Sequence, residues 1–341
     1  MSIHSVSLNK LAPDDHTPFG IRRRLNKANW PILQDLTIYQ ITIEPRCFRE
    51  PHWHPNCNEL GYCMNGTGLV TIFSNGNLHD TFVVEKGDLF FVPSGSIHSI
   101  ENVGEERAEF VVAFTNEDPE EFGISGSVGC MSLEVLGNTW GRKAKELDAV
   151  TRSLEDAIFA RCTAAAEISS SATLANHYKF QLESLPPTIM NEFGFLKAAR
   201  KDTWPVLRNI AMYSLQIHGN GMREPHWHPE CAEMGYVLRG GARMTIKNPG
   251  MAADTYLLEP GDVYFIPPAY PHHIENLTGN GLHLLIFFSN PEVPDIGYTG
   301  AIPAFPYRLI ESVLSVKNGH IPCPPDLLAD ALIVEKINPV S

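Results

Sequence analysis

The heptapeptide Arg49-Glu50-Pro51-His52-Trp53-His54-Pro55 recurs letter for letter as Arg223-Glu224-Pro225-His226-Trp227-His228-Pro229. Each copy is followed by a glutamate, Glu59 or Glu233, and by a further histidine, His98 or His272. Every pair is offset by the same 174 residues (52 to 226). That offset also joins Phe19-Gly20 to Phe193-Gly194, Trp30-Pro31 to Trp204-Pro205, Gly87-Asp88 to Gly261-Asp262, and Gly126 to Gly300. Solenoid repeats recur at roughly 20–50 residues, so this is a duplicated domain.

Within each copy the pattern is β. Tyr39, Ile41 and Ile43 alternate with more polar neighbours, as do Tyr213, Leu215 and Ile217; period two marks a strand with one buried face. The segments TFVVEKGDLFFVP (81–93) and TYLLEPGDVYFIP (255–267) read as strand, tight turn at Gly-Asp, strand. Many short strands with regular turns predict an all-β fold of two tandem barrels. Residues 144–166 are Ala-rich with apolar residues at helical spacing, and SSSATLAN (169–176) reads as a linker. Two further helical patches fall at 305–316 and 325–337. The expected domains are 1–172 and 173–341, each a barrel followed by a small helical appendage.

The formal charge of −13 argues against nucleic-acid or anionic-membrane partners. The N-terminal stretch has no apolar core of signal-peptide length, and no run reaches the roughly 18 apolar residues of a membrane span. Seven cysteines without CxxC spacing read as free thiols in a reducing cytoplasm.

On a strand, residues i and i+2 face the same side, so His52 and His54 aim together, as do His226 and His228. The Pro-Asn stretch before Glu59 allows a turn that returns its carboxylate on a neighbouring strand. His98 must arrive from a third strand, and barrel curvature lets all four converge. Each copy thus predicts one divalent metal site: His52, His54, Glu59 and His98 in the first; His226, His228, Glu233 and His272 in the second. Structural zinc usually takes thiolates. Three imidazoles and a carboxylate with room for water suit octahedral Mn, Fe, Co or Ni, while affinity alone favours Ni, Cu or Zn.

These residues resemble the motifs of the cupin superfamily, whose fold is a double-stranded β-helix or jelly-roll barrel. The series His52, His54, Glu59, Gly66 fits the first motif, and so does His226, His228, Glu233, Gly240; Arg46 and Asn220 stand where the motif opens with Gly. Gly87, Pro93, Gly95, His98 and Asn102 fit the second motif, and the other copy departs from it only at Ala269. The duplication, the early Trp-Pro and the Arg-Glu-Pro-His-Trp-His phrase resemble the two-domain oxalate decarboxylase group. The resemblance implies Mn as cofactor, dioxygen as co-catalyst, and conversion of oxalate to formate and carbon dioxide. It places Arg49 and Arg223 on the substrate carboxylate and puts Glu121 at the position of a general acid on a mobile lid, with Glu120 and Phe122 as unfamiliar flanks. A glutamate expected on the last strand of the second barrel is replaced by Ile286. A cation with one carboxylate and one arginine carries about +2, which a small dianion would balance. Rival readings are an oxalate oxidase-like enzyme, another cupin dioxygenase or isomerase, and a non-catalytic metal-bearing binding or storage protein. Such bicupins commonly form homo-oligomers.

The remaining polar groups have plainer readings. His4, His16, His218 and His283 read as surface histidines, and Arg22–Arg24 as a solvated basic run. Cys57 and Cys231 read as small fillers beside the ligand loop. Trp53 and Trp227, between ligand histidines, should pack outside the barrel.

Overall fold

The computed structural model describes residues 2–314 and 333–338. It divides into two compact units, Leu11–Ser184 and Met1–Lys10 with Leu185–Ser341. The expected division at 172/173 falls inside the first unit. There the last strand, Lys179–Phe180, pairs with Phe90 and Leu89, and Leu182 is fully buried.

The first unit is built of two antiparallel sheets. One runs in the order Lys179–Phe180, Leu89–Val92, Glu59–Asn65, Ala108–Phe114, Thr37–Ile43, Gly20–Arg24, Asp15–Thr17. The other runs Phe122–Gly123, Cys47–Trp53, Ile97–Asn102, Thr67–Ser74, Leu78–Glu85, with Phe159–Arg161 also on Cys47–Trp53. The second unit repeats this. Its first sheet is Ser5–Ser7, Asp262–Ile266, Glu233–Arg239, Leu282–Phe288, Ala211–Ile217, Gly194–Ala199, Ile189–Asn191. Its second is Ala253–Leu258, Ala242–Lys247, His272–Asn276, Gly221–Trp227, Ile296–Gly297, with Ile333–Glu335 on Gly221–Trp227. The Gly-Asp turns are corners: Leu78–Glu85 and Leu89–Val92 lie in different sheets, as do Ala253–Leu258 and Asp262–Ile266. The core of the second barrel gathers Tyr213, Leu215, Met244, Ile274, Leu284 and Ile286.

Two of the three departures from the sequence motifs, Arg46 and Ala269, sit at left-handed positions. Gly95 has φ +74 and its counterpart Ala269 φ +64, while Arg46, in the place of the opening Gly, has φ +61. The turns keep the conformation glycine would favour and hold an L side chain in it at a cost of about 1 kcal/mol each.

The small helices lie elsewhere than the Ala-rich stretch suggested. They are Ile124–Gly129 and Leu133–Trp140, the latter capped by Ser132 and ended by left-handed Gly141. Residues 144–166 form only a 3-10 turn, Ala144–Leu147, before the strand Phe159–Arg161. A free strand edge at Cys47–Arg49 and a buried place for Phe159 override an alanine propensity worth a few tenths of a kcal/mol per residue. In the second unit Tyr298–Ala301 and Tyr307–Val313 are helical. Of the patch at 325–337, residues 325–332 lie outside the described residues, and Ile333–Glu335 is a strand for the same edge-pairing reason. Residues 315–316 of the other patch are also outside. Among the described residues no helix is long and apolar enough to cross a membrane.

Candidate metal centres

His52 is the penultimate residue of one ligand strand, His54 follows directly after that strand, Glu59 opens the next strand, and His98 comes from the strand paired with His52. The ligand atoms of all four lie within 4.8 Å of one another, and all four residues are buried. His226, His228, Glu233 and His272 repeat the arrangement. The eight residues singled out from the sequence therefore meet as two groups of four.

The hydrogen bonds fit each group to a cation. The Nδ1–H groups of His52, His54 and His98 are committed to the carbonyls of Glu50, Glu120 and Ser96 at 2.7, 2.9 and 3.1 Å. Those of His226, His228 and His272 donate to Glu224, Pro294 and Tyr270 at 2.7, 2.9 and 2.9 Å. The Nε2 lone pairs then face inward. Glu59 Oε2 stands 3.2 Å from His54 Nε2 and 3.0 Å from His98 Nε2. Neutral imidazole lone pairs aimed at a carboxylate repel unless a positive charge lies between them, and Nδ1–H on a carbonyl is the usual orientation of a ligating histidine. Burial and the neighbouring Arg49 hold His52 well below its ordinary pKa, hence neutral. Burial by itself pushes the Glu59 carboxyl up, so an anionic Glu59 facing these lone pairs calls for a positive charge among the four ligands.

A β-bulge aims the arginine. His98 pairs with His52, and Ile100 pairs with Arg49, so the ligand strand advances three residues against its partner's two. Regular alternation would put Arg49 on the face opposite His52; the extra residue returns it to the same side. The second copy repeats the shift between Arg223 and His226. Arg49 is 1 % exposed, and its Nη1 donates to the Ile158 carbonyl at 2.8 Å. Ile158 is itself left-handed at φ +61, and its N–H donates to Glu50 Oε1 at 2.7 Å.

Glu121 is ion-paired with Arg49. Arg22 donates to both of its oxygens at 3.0 and 2.8 Å, and to Asp15 at 2.7 Å. Arg22 is buried, contrary to the solvated reading of Arg22–Arg24; its place on an inward-facing strand position beside two carboxylates explains this. Burial pushes Glu121 up, but Arg49 and Arg22 prevail and bring its carboxyl to about 2. Glu121 is thus a held anion in this conformation. Its loop is fastened to the ligand loop through Asn56, whose Oδ1 accepts from Glu120 N–H and whose Nδ2 donates to the Asp118 carbonyl.

In the second copy Asp295 pairs with Arg223. The chamber there is small, about 10 Å³, and its walls include Leu196, Ile286 and Asp295. Leu196 stands at the place of Arg22 (22 to 196), so the second chamber lacks that guanidinium. With a divalent cation in each, the first chamber carries about +2 before Asp15 is counted and the second about +1. A wider hollow of about 590 Å³ borders Val293 and Pro294 on the loop that closes this chamber, but holds none of the ligands.

The other sequence readings divide. Trp53 stacks on Phe122 and Trp227 meets Tyr298 edge-on. Cys57 and Cys231 are buried and stand outside both ligand groups. His4 and His283, however, are buried. His4 lies between the Phe265 carbonyl and Asn248, and His283 meets Ser214. Of the Arg22 partners Asp15 is a hairpin neighbour seven residues away, but Glu121 lies 99 residues off, and the His4 partners Phe265 and Asn248 lie 261 and 244 residues off, beyond the reach of a local sequence signal.

The comparisons agree with this architecture. The family model described as Cupin matches residues 8–148 and 180–319. Oxalate decarboxylase OxdC of Bacillus subtilis is 28% identical over 312 residues, covering 87% of this chain and 78% of that protein. Oxalate oxidase GF-2.8 of Triticum aestivum is 34% identical over 114 residues, 32% of this chain and 51% of that protein. A structure of Bacillus subtilis oxalate decarboxylase, described for its Mn(II) centres, superposes with a TM-score of 0.85 at 23% identity, covering 97% of this chain and 88% of that one.

Proposed function

The chain belongs to the cupin family, and we propose that it is a Mn-dependent, oxalate decarboxylase-like enzyme that converts oxalate to formate and carbon dioxide. We assign His52, His54, Glu59 and His98, and His226, His228, Glu233 and His272, as the ligands of two metal ions. The observation that carries the reading is Arg49: a buried guanidinium, aimed by a bulge to the ligand side, with a carboxylate already seated on it. A small carboxylate substrate fits that seat. Arg offers it a bidentate fork, and the charge of the chamber favours a dianion. When bound, the metal would polarise the substrate and accept electron density from it.

Glu121 and the substrate compete for Arg49 in this reading. Once a substrate carboxylate takes Arg49, Glu121 keeps Arg22 but loses its nearer partner and gains a negative neighbour. Its carboxyl then rises from about 2 toward the ordinary range and can carry the proton that formate needs. Arg223 and Asp295 form the corresponding pair at the second centre, in a more apolar chamber. The tight hold of two arginines on Glu121 also favours one rival: if Glu121 never leaves, no proton is delivered and an oxidase-like outcome follows.

Protein loaded with Mn and given oxalate under air separates these readings. Formate in excess of hydrogen peroxide supports the decarboxylase. Peroxide in excess supports the oxidase. No product from oxalate overturns both and leaves another cupin activity or a binding role.

We further place the protein in the cytoplasm and infer self-association. Six free cysteines among the described residues suit a reducing compartment. Exposed Val135 and Trp140, and Leu309 and Val313, put apolar surface on the small helices of each unit. Sedimentation of the full chain tests the second inference; a monomer at micromolar concentration would refute it.

A further inference from the structure

The two centres differ behind their glutamates. Tyr264, fully buried, donates its hydroxyl to Glu233 Oε1 at 2.7 Å. The other oxygen, Oε2, faces His228 Nε2 at 3.0 Å and His272 Nε2 at 3.2 Å. The two oxygens of Glu233 thus have separate tasks. In the first barrel the corresponding ring is Phe90 (90 to 264), which has no hydroxyl to give. Glu59 Oε2 faces its histidines in the same way, and among the described residues no side chain donates to Glu59 Oε1.

The rings themselves are placed alike. A Cβ on Gly235 would come within 2.1 Å of the Tyr264 ring, and one on Gly61 within 2.1 Å of the Phe90 ring. Each glycine lies directly against its ring, so one oxygen atom is the main difference at this point. A second observation runs the same way. Tyr256 replaces Phe82 (82 to 256), and its buried hydroxyl has no hydrogen-bond partner. The second barrel therefore holds two phenol groups where the first holds two phenyl rings.

We infer that Tyr264 is a positioning residue of the second metal centre, pinning Glu233 as a one-oxygen ligand. A carboxylate whose outer oxygen accepts a strong hydrogen bond cannot swing to chelate the metal through both oxygens without losing that bond. Glu59, without such a partner, can shift between one- and two-oxygen ligation. The two ions consequently differ in coordination and in retention, although their ligand sets are identical residue for residue. Loss of an outer partner of a metal ligand typically lowers metal affinity about 10–100-fold.

The inference rests on the metal-binding part of the reading above and not on oxalate, and its test uses no turnover. Mn(II) is the probe, and the full chain is used. His52→Ala with His54→Ala leaves the second centre alone; His226→Ala with His228→Ala leaves the first. In the former background, Tyr264→Phe should lower Mn(II) affinity by about 10-fold or more and change the EPR fine structure of the bound ion. In the latter, Phe90→Tyr should move the spectrum of the first centre toward that of the second. An unchanged affinity and spectrum in a folded Tyr264→Phe variant would overturn the inference. If that variant does not fold, the Phe90→Tyr spectrum decides: a shift toward the second centre supports it and no shift overturns it. If neither background binds Mn(II), the metal-site reading fails, and the inference fails with it. Absence of formate from oxalate, with Mn(II) bound as expected, would refute only the proposed activity.

Discussion

Arg22 grips both oxygens of Glu121 from Nη1, at 3.0 and 2.8 Å, across 99 residues of chain. The same carboxylate pairs with Arg49. One acid is therefore shared between a guanidinium aimed to the ligand side and a second that serves to hold it. In the other chamber Leu196 takes the place of Arg22.

Glu121→Gln separates the two roles of this acid. Removing the charge frees Arg49 and should tighten oxalate binding to Mn-loaded protein without oxygen. Removing the proton donor should lower formate production about 100-fold or more, read as formate against peroxide under air. Unchanged formate production would exclude Glu121 as the acid.

Arg22→Leu puts at this place the residue that the second chamber has there. It strips a buried guanidinium from Glu121 and Asp15, whose side chains are 16% and 23% exposed. Urea unfolding should show a loss of about 2 kcal/mol, below the 3–5 kcal/mol typical of fully buried pairs because both acids keep some water. Oxalate should bind more weakly as well, since the chamber loses a positive charge. A change under about 0.5 kcal/mol would place the pair among weak surface contacts.

Acid should undo the same contact. Glu121 titrates at about 2 in the folded chain against an ordinary 4.5. Its depressed value contributes stability that is complete above 4.5 and disappears as pH falls toward 2. The stability difference between the unsubstituted chain and Glu121→Gln, measured by urea unfolding with a chelator present, should be constant near neutrality. It should shrink steadily below pH 4.5. A difference independent of pH between 5 and 2.5 would contradict the paired carboxylate.

His52→Ala with His54→Ala should empty one centre and spare the other. Elemental analysis of Mn-supplied protein should then find half the metal per chain. An unchanged content would refute the ligand assignment.

Ala269→Gly tests the strained turn. With φ at +64, Ala269 holds a conformation that costs an L residue about 1 kcal/mol, partly offset by the greater freedom of glycine in the unfolded chain. The variant should unfold at higher urea concentration. Destabilisation would mean that the alanine methyl group contributes packing that outweighs the strain.

The metal tetrads and the barrels could be read from the amino-acid order because both rest on local regularities. Period-two alternation decides that His52 and His54 share a face, and a 174-residue echo shows that whatever one copy builds the other builds too. Polar ligands at buried strand positions leave a mark that spacing alone reveals. The strand Phe159–Arg161 and its counterpart Ile333–Glu335 keep the same offset, yet FAR and IVE share no residue, and the alanines nearby suggested a helix. Their conformation is set by a free strand edge contributed from residues 47–49 and 221–223. The aim of Arg49 depends on a bulge, the burial of Arg22 on two acids brought from residues 15 and 121, and the pinning of Glu233 on a ring 31 residues away. Pairing partners, bulges and charge neighbours are properties of which surfaces meet, and the chain acquires them only when it closes into a barrel.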